Sequence, residues 1–345
     1  MIMDSLAAGT RRSRILRPRD RRRPRWPATG WTPAPMPISR KFLDWSKPAL
    51  PAAAEYLLER YRDGEQLNLD GVLVVLPGGR AGRRLLEILV ERADAEALVL
   101  TPPRIETVGT LPERLYEPKR PFATEFVQQL AWIHALRTAG EGRVVRVIRD
   151  LPQDGDIVRW MALARLLWRA HRELAAEALD FSDVLNSPWR PGELEEKTRW
   201  RVMRRIQELY LRVLDHFELW DLQTARLFAI EHGECAAEQD IVLIGTADMP
   251  VALRQMLDQV ADRVTSLVHA PESRADDFDD YGCIIPERWE SAEIPIQDDW
   301  VRVVEGPSEQ AEAVAETLAG WDGWRRADEI TIGVPDEELV PQIHR

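Results

Sequence analysis

Lysine is nearly missing from this chain: Lys41, Lys47, Lys119 and Lys197 are the only four in 345 residues, and none follows a glycine. That excludes a working Walker-type loop, in which a Lys after the last glycine meets the phosphates and a Ser/Thr hydroxyl ligates Mg²⁺. Cysteine is scarcer still, with Cys235 and Cys283 alone. Two thiols make neither a disulfide framework, a four-cysteine zinc site nor an iron–sulfur cluster, and the expected compartment is a reducing cytoplasm. No apolar run reaches the roughly 18 residues of a membrane span, so no membrane partner is expected. The histidines (His134, His171, His216, His232, His269 and His344) are scattered, with no H-E-x-x-H and no ligand spacing to the cysteines. A metal site is therefore not expected, and the absence of G-x-S-x-G removes the commonest hydrolase signature.

What is present is ordinary globular material. Hydrophobic residues make up 45% of the chain, enough for a real core, and the length allows two or three domains. The net charge of −12 hides an asymmetry, because residues 1–35 carry nine arginines against Asp4 and Asp20. That is about +7, leaving about −19 for the remainder, which argues against broad nucleic-acid coating but not against a local basic groove. Residues 1–35 show no hydrophobic periodicity, and disorder is expected there. They read as a basic nucleic-acid-binding arm, as a transit peptide, or as translated upstream sequence. We favour the last, with a start at Met36, since nothing before it is patterned for folding.

The chain is organised around Gly71–Leu89, GVLVVLPGGRAGRRLLEIL. Val72–Leu76 is a continuous apolar run, as in a strand buried on both faces; Pro77, Gly78 and Gly79 break it, and a helical pattern follows. Strand, glycine-rich turn and helix is the layout of a phosphate-binding loop. In the best register Pro77 and Gly82 stand for the two glycines, while Arg83 and Arg84 replace the Lys and the Ser/Thr. Arginine can meet a phosphate, but it cannot ligate Mg²⁺. The stretch Gly78, Gly79, Arg80, Gly82, Arg83, Arg84 thus reads either as a degenerate phosphate loop or as a tight strand-to-helix turn.

Ala97–Thr101 reads as a second buried strand paired in parallel with the first through a right-handed crossover. The following RIETVGTLPERLY reads as a loop into a short helix. From about Phe122 to Cys235 only helical periodicity appears, including Phe126, Leu130, Ile133 and Leu136 on one stretch and Trp160, Leu163, Leu167, Trp168 and Leu174 on another. Strand signals resume at Ile241–Ile244 and Ser266–His269, then at Val301–Val304 and Ile330–Val334 around a helix at Glu309–Leu318. The expected organisation is a basic segment at 1–35, a first α/β part at 36–120, a helical insertion at 121–236, a return to α/β at 237–298, and the start of a second α/β section at 299–345. That section stops inside a repeating unit, as a truncated product would.

Other candidates are weaker. Glu195-Glu196-Lys197 matches the E-x-K of a PD-(D/E)xK nuclease as a string, but it lies in a helical stretch without the strand and partner Asp that such a Mg²⁺ site requires. Asp276, Asp277, Asp279 and Asp280 surround Phe278 and read as a solvated acidic loop. The tryptophans invite base stacking, yet Trp160 and Trp168 sit among leucines as core residues do. Arg199, Arg201, Arg204 and Arg205 form the densest basic cluster of the helical block, a candidate for strand contact or a solvated helix face.

The order of these elements is similar to that of a superfamily 1 helicase motor domain. In VLVVLPGGRAGRRL, TPPRIETVGTL, IVLIGTADMP, VHAPESRADDFDDYGCIIPERW and the closing VVEGPSEQAEAVAETLAGW…DEITIGVPDEELVPQI, the chain resembles the N-terminal part of AddB-type subunits of bacterial AddAB exonucleases, over roughly residues 37–345. The resemblance implies a RecA-like, P-loop NTPase-like parallel sheet with a long helical insertion. It also implies an AddA-type helicase–nuclease partner, DNA as ligand, and a role in double-strand-break repair without ATP hydrolysis by this chain. In that family Mg²⁺ and an iron–sulfur cluster belong to a C-terminal nuclease, whose residues are absent here, so no catalytic residue and no cofactor is assigned to this chain. A free-standing α/β nucleotide- or phosphate-binding protein, and a ligand-free interaction module, are the alternatives.

Overall fold

The computed structural model describes residues 38–345 apart from 149, 189–193, 291, 294–295, 322, 335–336 and 344–345. The basic segment 1–35 and the Met36 start lie outside the described residues, as does His344. The chain divides into two compact units between Pro286 and Glu287.

The first unit runs β1 (Ser39–Phe42), α1 (Ala49–Tyr61), β2 (Arg62–Asp63), β3 (Gln66–Asn68), β4 (Val72–Leu76), α2 (Gly79–Ala95), β5 (Val99–Thr101) and β6 (Arg104–Thr107). The helices α3 (Glu125–Ala139), α4 (Glu141–Val144), α5 (Ile157–Ala176), α6 (Phe181–Asn186), α7 (Leu194–His216) and α8 (Leu222–His232) follow. The α/β pattern then returns with β7 (Asp240–Ile244), α9 (Val251–Asp258) and β8 (Val264–Val268). Five strands form one sheet in the order β1-β8-β7-β4-β6, and every pair is parallel. This is an α/β architecture consistent with a Rossmann- or RecA-like arrangement.

The apolar run of β4 is fully buried because the sheet is covered on both sides. Leu73 and Val75 point into a core with Ile241, Leu243 and Val264, closed by Ala225 and Ala229 of α8 and by Leu253, Met256 and Leu257 of α9. Val72, Val74 and Leu76 join Val242, Ile244 and Leu267 in the opposite core, under Leu57 of α1 and Leu85 and Leu89 of α2. A third core belongs to the helical insertion alone, centred on Trp132, Phe181, Ile206 and Tyr210. Trp160 is buried in it and Trp168 packs against it, so both tryptophans are core, not stacking platforms.

Several expectations change. The parallel partner of β4 is β6, not Ala97–Thr101. Val99–Thr101 instead pairs with β3 in a small separate sheet, and Val99 is exposed. The reason is that β6 is an edge strand with one neighbour; a single apolar residue, Ile105, suffices, and the strand pattern does not show. The strand β1 gives equally little signal and also sits at an edge, beside β8. On α3 the buried stripe contains Ile133 and Leu136 but not Phe126 and Leu130, which are exposed while Gln128 and Gln129 are buried. Gln128 is held inside by a bond to the Ala123 carbonyl (2.8 Å) and by the indole N–H of Trp168 (2.9 Å), which is why a polar residue displaces an apolar one.

A single turn, α10 (Pro286–Trp289), spans the divide, and the second unit continues with α11 (Pro307–Gly320) and α12 (Val340–Ile343). Val301–Val304 and Ile330–Val334 form no strand ladder among the described residues, contrary to the periodicity. With α11 they line an apolar cleft of about 380 Å³, and Val303 is 90% exposed. A strand gains its hydrogen bonds from a neighbour, and neither segment has one here.

Candidate functional site

The sheet has one point where its strand order reverses. From β4 the chain crosses through α2 to β6 on one side; from β7, on the other side of β4, it crosses through α9 to β8, farther away. Ligand crevices of open parallel sheets lie at such a point, outside the carboxyl ends of the strands. Here that crevice is bounded by the segments that leave β4, β6 and β7. The glycine-rich turn identified in the sequence therefore occupies the expected place.

Its geometry differs from a wrapping loop. Only Pro77 and Gly78 separate β4 from α2, which begins at Gly79, so Gly79, Arg80, Gly82, Arg83 and Arg84 are helical. Gly78 is the N-cap and offers no side-chain acceptor. The Gly82 N–H already reaches the Gly78 carbonyl at 3.3 Å, which leaves the N–H groups of Gly79, Arg80 and Ala81 without intrahelical acceptors. Three free donors at the positive end of a 17-residue helix are what an anion meets here.

Gly82 has a packing role. A Cβ on it would stand 2.7 Å from Cγ2 of Ile105, so α2 lies on β6 at a distance only glycine allows.

The flanks of the crevice are polar. The strand β7 pairs with β4 as far as Val75↔Leu243, and Gly245 and Thr246 follow at its carboxyl end. Gly245 has a left-handed φ of +59°, which turns the chain sharply after β7. The Thr246 side chain is buried, and its hydroxyl has no hydrogen-bond partner among the described residues. On the other flank Val108 donates to the Leu76 carbonyl (3.2 Å), setting the Thr107–Thr110 turn beside β4. There the Thr110 hydroxyl donates to Glu106 (2.8 Å) and Arg114 does the same (2.7 Å). Burial pushes the Glu106 carboxyl up, but Thr110, Arg114 and Arg104 outweigh it and hold the group below its usual range.

The basic candidates fare unequally. Arg80 and Arg83 are exposed on the first turns of α2. Arg84 is exposed too, but it pairs with Glu87 at 3.0 Å and Glu91 at 3.6 Å on its own helix. Arg199, Arg201, Arg204 and Arg205 lie on α7, in the helical insertion and not on the sheet. Arg199 pairs with Glu196 (3.7 Å), Arg204 with Glu208 (3.4 Å) and Arg205 with the same Glu208 (3.0 Å). Two glutamates thus meet three of the four arginines, and that helix face neutralises part of its own charge.

The acidic loop is likewise occupied internally. Asp279 receives Arg254 at 2.5 Å and the N–H groups of Tyr281 (3.0 Å) and Cys283 (2.9 Å), and Asp277 pairs with Arg274 at 2.9 Å. Arg40 of β1 holds the Ala275 and Phe278 carbonyls at 3.0 and 2.8 Å. No group of three His, Cys, Asp or Glu side chains able to hold a metal is found among the described residues. Nor is any described helix long and apolar enough to cross a membrane.

The fold also assembles a cluster that spacing did not announce. Asp221, fully buried, accepts from His171 Nε2 (3.1 Å) and the Tyr210 hydroxyl (2.6 Å) on one oxygen, and from the Thr224 N–H (2.6 Å) on the other. The only local signal is Asp221 three residues before Thr224, the spacing of a helix N-cap. Burial pushes the Asp221 carboxyl up, but His171, Tyr210 and Thr224 override it and hold it at about 2. A group depressed in the folded state stabilises it above its unfolded value near 4, and that stability is lost as pH falls from there through about 2. We expect roughly 2 kcal/mol to disappear across that window. Urea unfolding at pH 5 and at pH 2 checks this, with Asp221→Asn lacking that part of the decline. Compared with known proteins, the chain matches no family model and aligns with no curated protein.

Proposed function

We propose that the α/β unit is a non-hydrolysing, RecA-like pseudo-helicase core of the AddB type. It guides a DNA strand along the carboxyl edge of its sheet and scaffolds an AddA-type motor during double-strand-break end processing. The observation that carries this reading is the reversal of strand order between β4 and β7, where ligand sites of open parallel sheets lie. The N-terminus of α2, without a side-chain cap, follows β4 there, and Arg80 and Arg83 are exposed on its first turns. Backbone N–H groups and guanidinium groups match phosphodiester oxygens and need no metal to do so. The resemblance of the chain to AddB-type sequences supplies the biological setting.

The test is equilibrium binding of single-stranded DNA to the full chain and to the Arg80→Ala/Arg83→Ala variant, so that the N-terminal arginines contribute equally to both. The double variant is expected to bind about tenfold more weakly at low salt, and Arg84→Ala to change affinity by less than about twofold, because its charge is already paired. Equal affinities of wild type and double variant would overturn the reading. Binding of inorganic phosphate or a nucleotide with no DNA affinity would instead favour a small-ligand protein. No binding of either would leave an interaction module.

A further inference from the structure

The helical insertion meets the α/β body where α5 packs against α8 and α9, and at a neck of two chain segments. The chain enters it at Pro121–Ala123 and leaves it at Leu219–Trp220, and the two segments are bonded together: Ala123 N–H to the Trp220 carbonyl (2.7 Å) and Trp220 N–H to the Pro121 carbonyl (3.0 Å). Asp221 is the next residue. One of its carboxylate oxygens caps α8, which packs into the sheet core through Ala225 and Ala229. The other takes its hydrogen bonds from α5 (His171) and α7 (Tyr210), which belong to the insertion. A single buried side chain thus has one end in the α/β body and the other in the insertion.

The surrounding bonds fix which atom carries each proton. The Phe181 N–H donates to the Gln207 side-chain oxygen (3.3 Å), so the Gln207 amide nitrogen must be the atom that faces His171 Nδ1 at 3.1 Å. That nitrogen donates, Nδ1 therefore accepts, and the imidazole proton sits on Nε2, aimed at Asp221. Tyr210 can address either Asp221 (2.6 Å) or Gln128 (3.5 Å), and the short bond selects Asp221. Tyr116 is a further titratable side chain near Asp221, and burial together with Glu113 pushes its hydroxyl up. Asp221 faces three donors, and only a carboxylate, with two acceptor oxygens, satisfies them all. An asparagine of the same shape would turn an NH₂ group toward one side, donor against donor.

We propose that the Asp221 carboxylate is the joint that makes the helical insertion and the α/β body open and close as one cooperative unit. Without it the packing of α5 on α8 and α9 loses its buried polar link, and the insertion, with its own core around Trp132 and Tyr210, opens more readily than the body with its two sheet cores.

Native-state hydrogen exchange of the full chain, read on peptides from α3, α5 and α7 and on peptides from β4, β7 and β8, tests this. In the wild type both sets exchange with the same protection. In Asp221→Asn the insertion peptides are expected to lose about ten- to a hundredfold in protection while the sheet peptides change little. An equal loss in both sets would make Asp221 an ordinary contributor to global stability and would overturn the joint. So would unchanged protection in both. Should Asp221→Asn fail to fold, Tyr210→Phe removes one of the three donors with little change of shape. The same uneven loss, smaller in size, is then expected, and an even loss refutes the proposal.

Discussion

Trp132→Ala is expected to cost about 3–5 kcal/mol, the usual range for deleting a fully buried large aromatic. Trp132 has no exposed surface. Its ring stacks on Tyr210 with centroids 4.0 Å apart and planes within 7°, lies 6.3 Å from Phe181, and meets His171 edge-on at 5.9 Å. These neighbours come from α5, α6 and α7, so the vacated space has walls on separate helices that cannot all collapse into it. The loss also uncovers Tyr210, whose hydroxyl serves Asp221. Urea denaturation followed by intrinsic fluorescence and by far-UV circular dichroism checks the value. A loss below about 1 kcal/mol would mean that the insertion core is not packed as described.

The second large effect belongs to the crevice itself. Gly82→Val is expected to cost about 2–3 kcal/mol, because the new side chain must occupy space held by Ile105 Cγ2, only 2.7 Å from where its Cβ would be. Any gain in helix propensity over glycine is a fraction of 1 kcal/mol and does not offset this overlap. Ile105→Ala removes the obstructing methyl, so the double variant should be more stable than the sum of the single losses predicts, by about 1–2 kcal/mol. Strict additivity in that cycle would show that Gly82 does not hold α2 against β6. A cradle role predicts a different result: lost anion affinity with unchanged stability.

These two residues also mark what the sequence made legible. The buried run Val72–Leu76 and the break at Pro77–Gly79 were readable because a strand covered on both faces must be apolar throughout and glycine punctuates sharply. The helical block was readable from its 3.6-residue period. Edge strands were not: β6 and β1 each have a single neighbour, so their composition is unconstrained by a second one. Gly82 was visible as a glycine, but its proximity to Ile105 depends on the α2–β6 packing, which no local pattern encodes. The reversal of strand order between β4 and β7 depends on pairing across about 170 residues of chain, and Val75↔Leu243 is one such pair. The Asp221 cluster was hidden for the same reason, since His171 comes from α5, Gln207 and Tyr210 from α7 and Asp221 from the start of α8, and the cap spacing to Thr224 gives no hint of the others.

The arginines were legible as residues but not as charges. Arg84, Arg199, Arg204 and Arg205 all have glutamates three or four positions away, and the folded helices bring those pairs together. Arg80 and Arg83 lack such a partner in the sequence that follows them, apart from Glu87 four residues after Arg83, which the structure gives to Arg84.

The salt dependence of single-stranded DNA affinity, measured for the full chain and for Arg80→Ala/Arg83→Ala, tests the central claim most directly. Each phosphate contact on a single strand contributes about 0.7 to the slope of log affinity against log salt, so two lost contacts should flatten it by roughly 1.4. That flattening, with an unchanged melting temperature, is the predicted result. Superimposable slopes in a folded variant would contradict a phosphate-guiding crevice at the carboxyl end of β4.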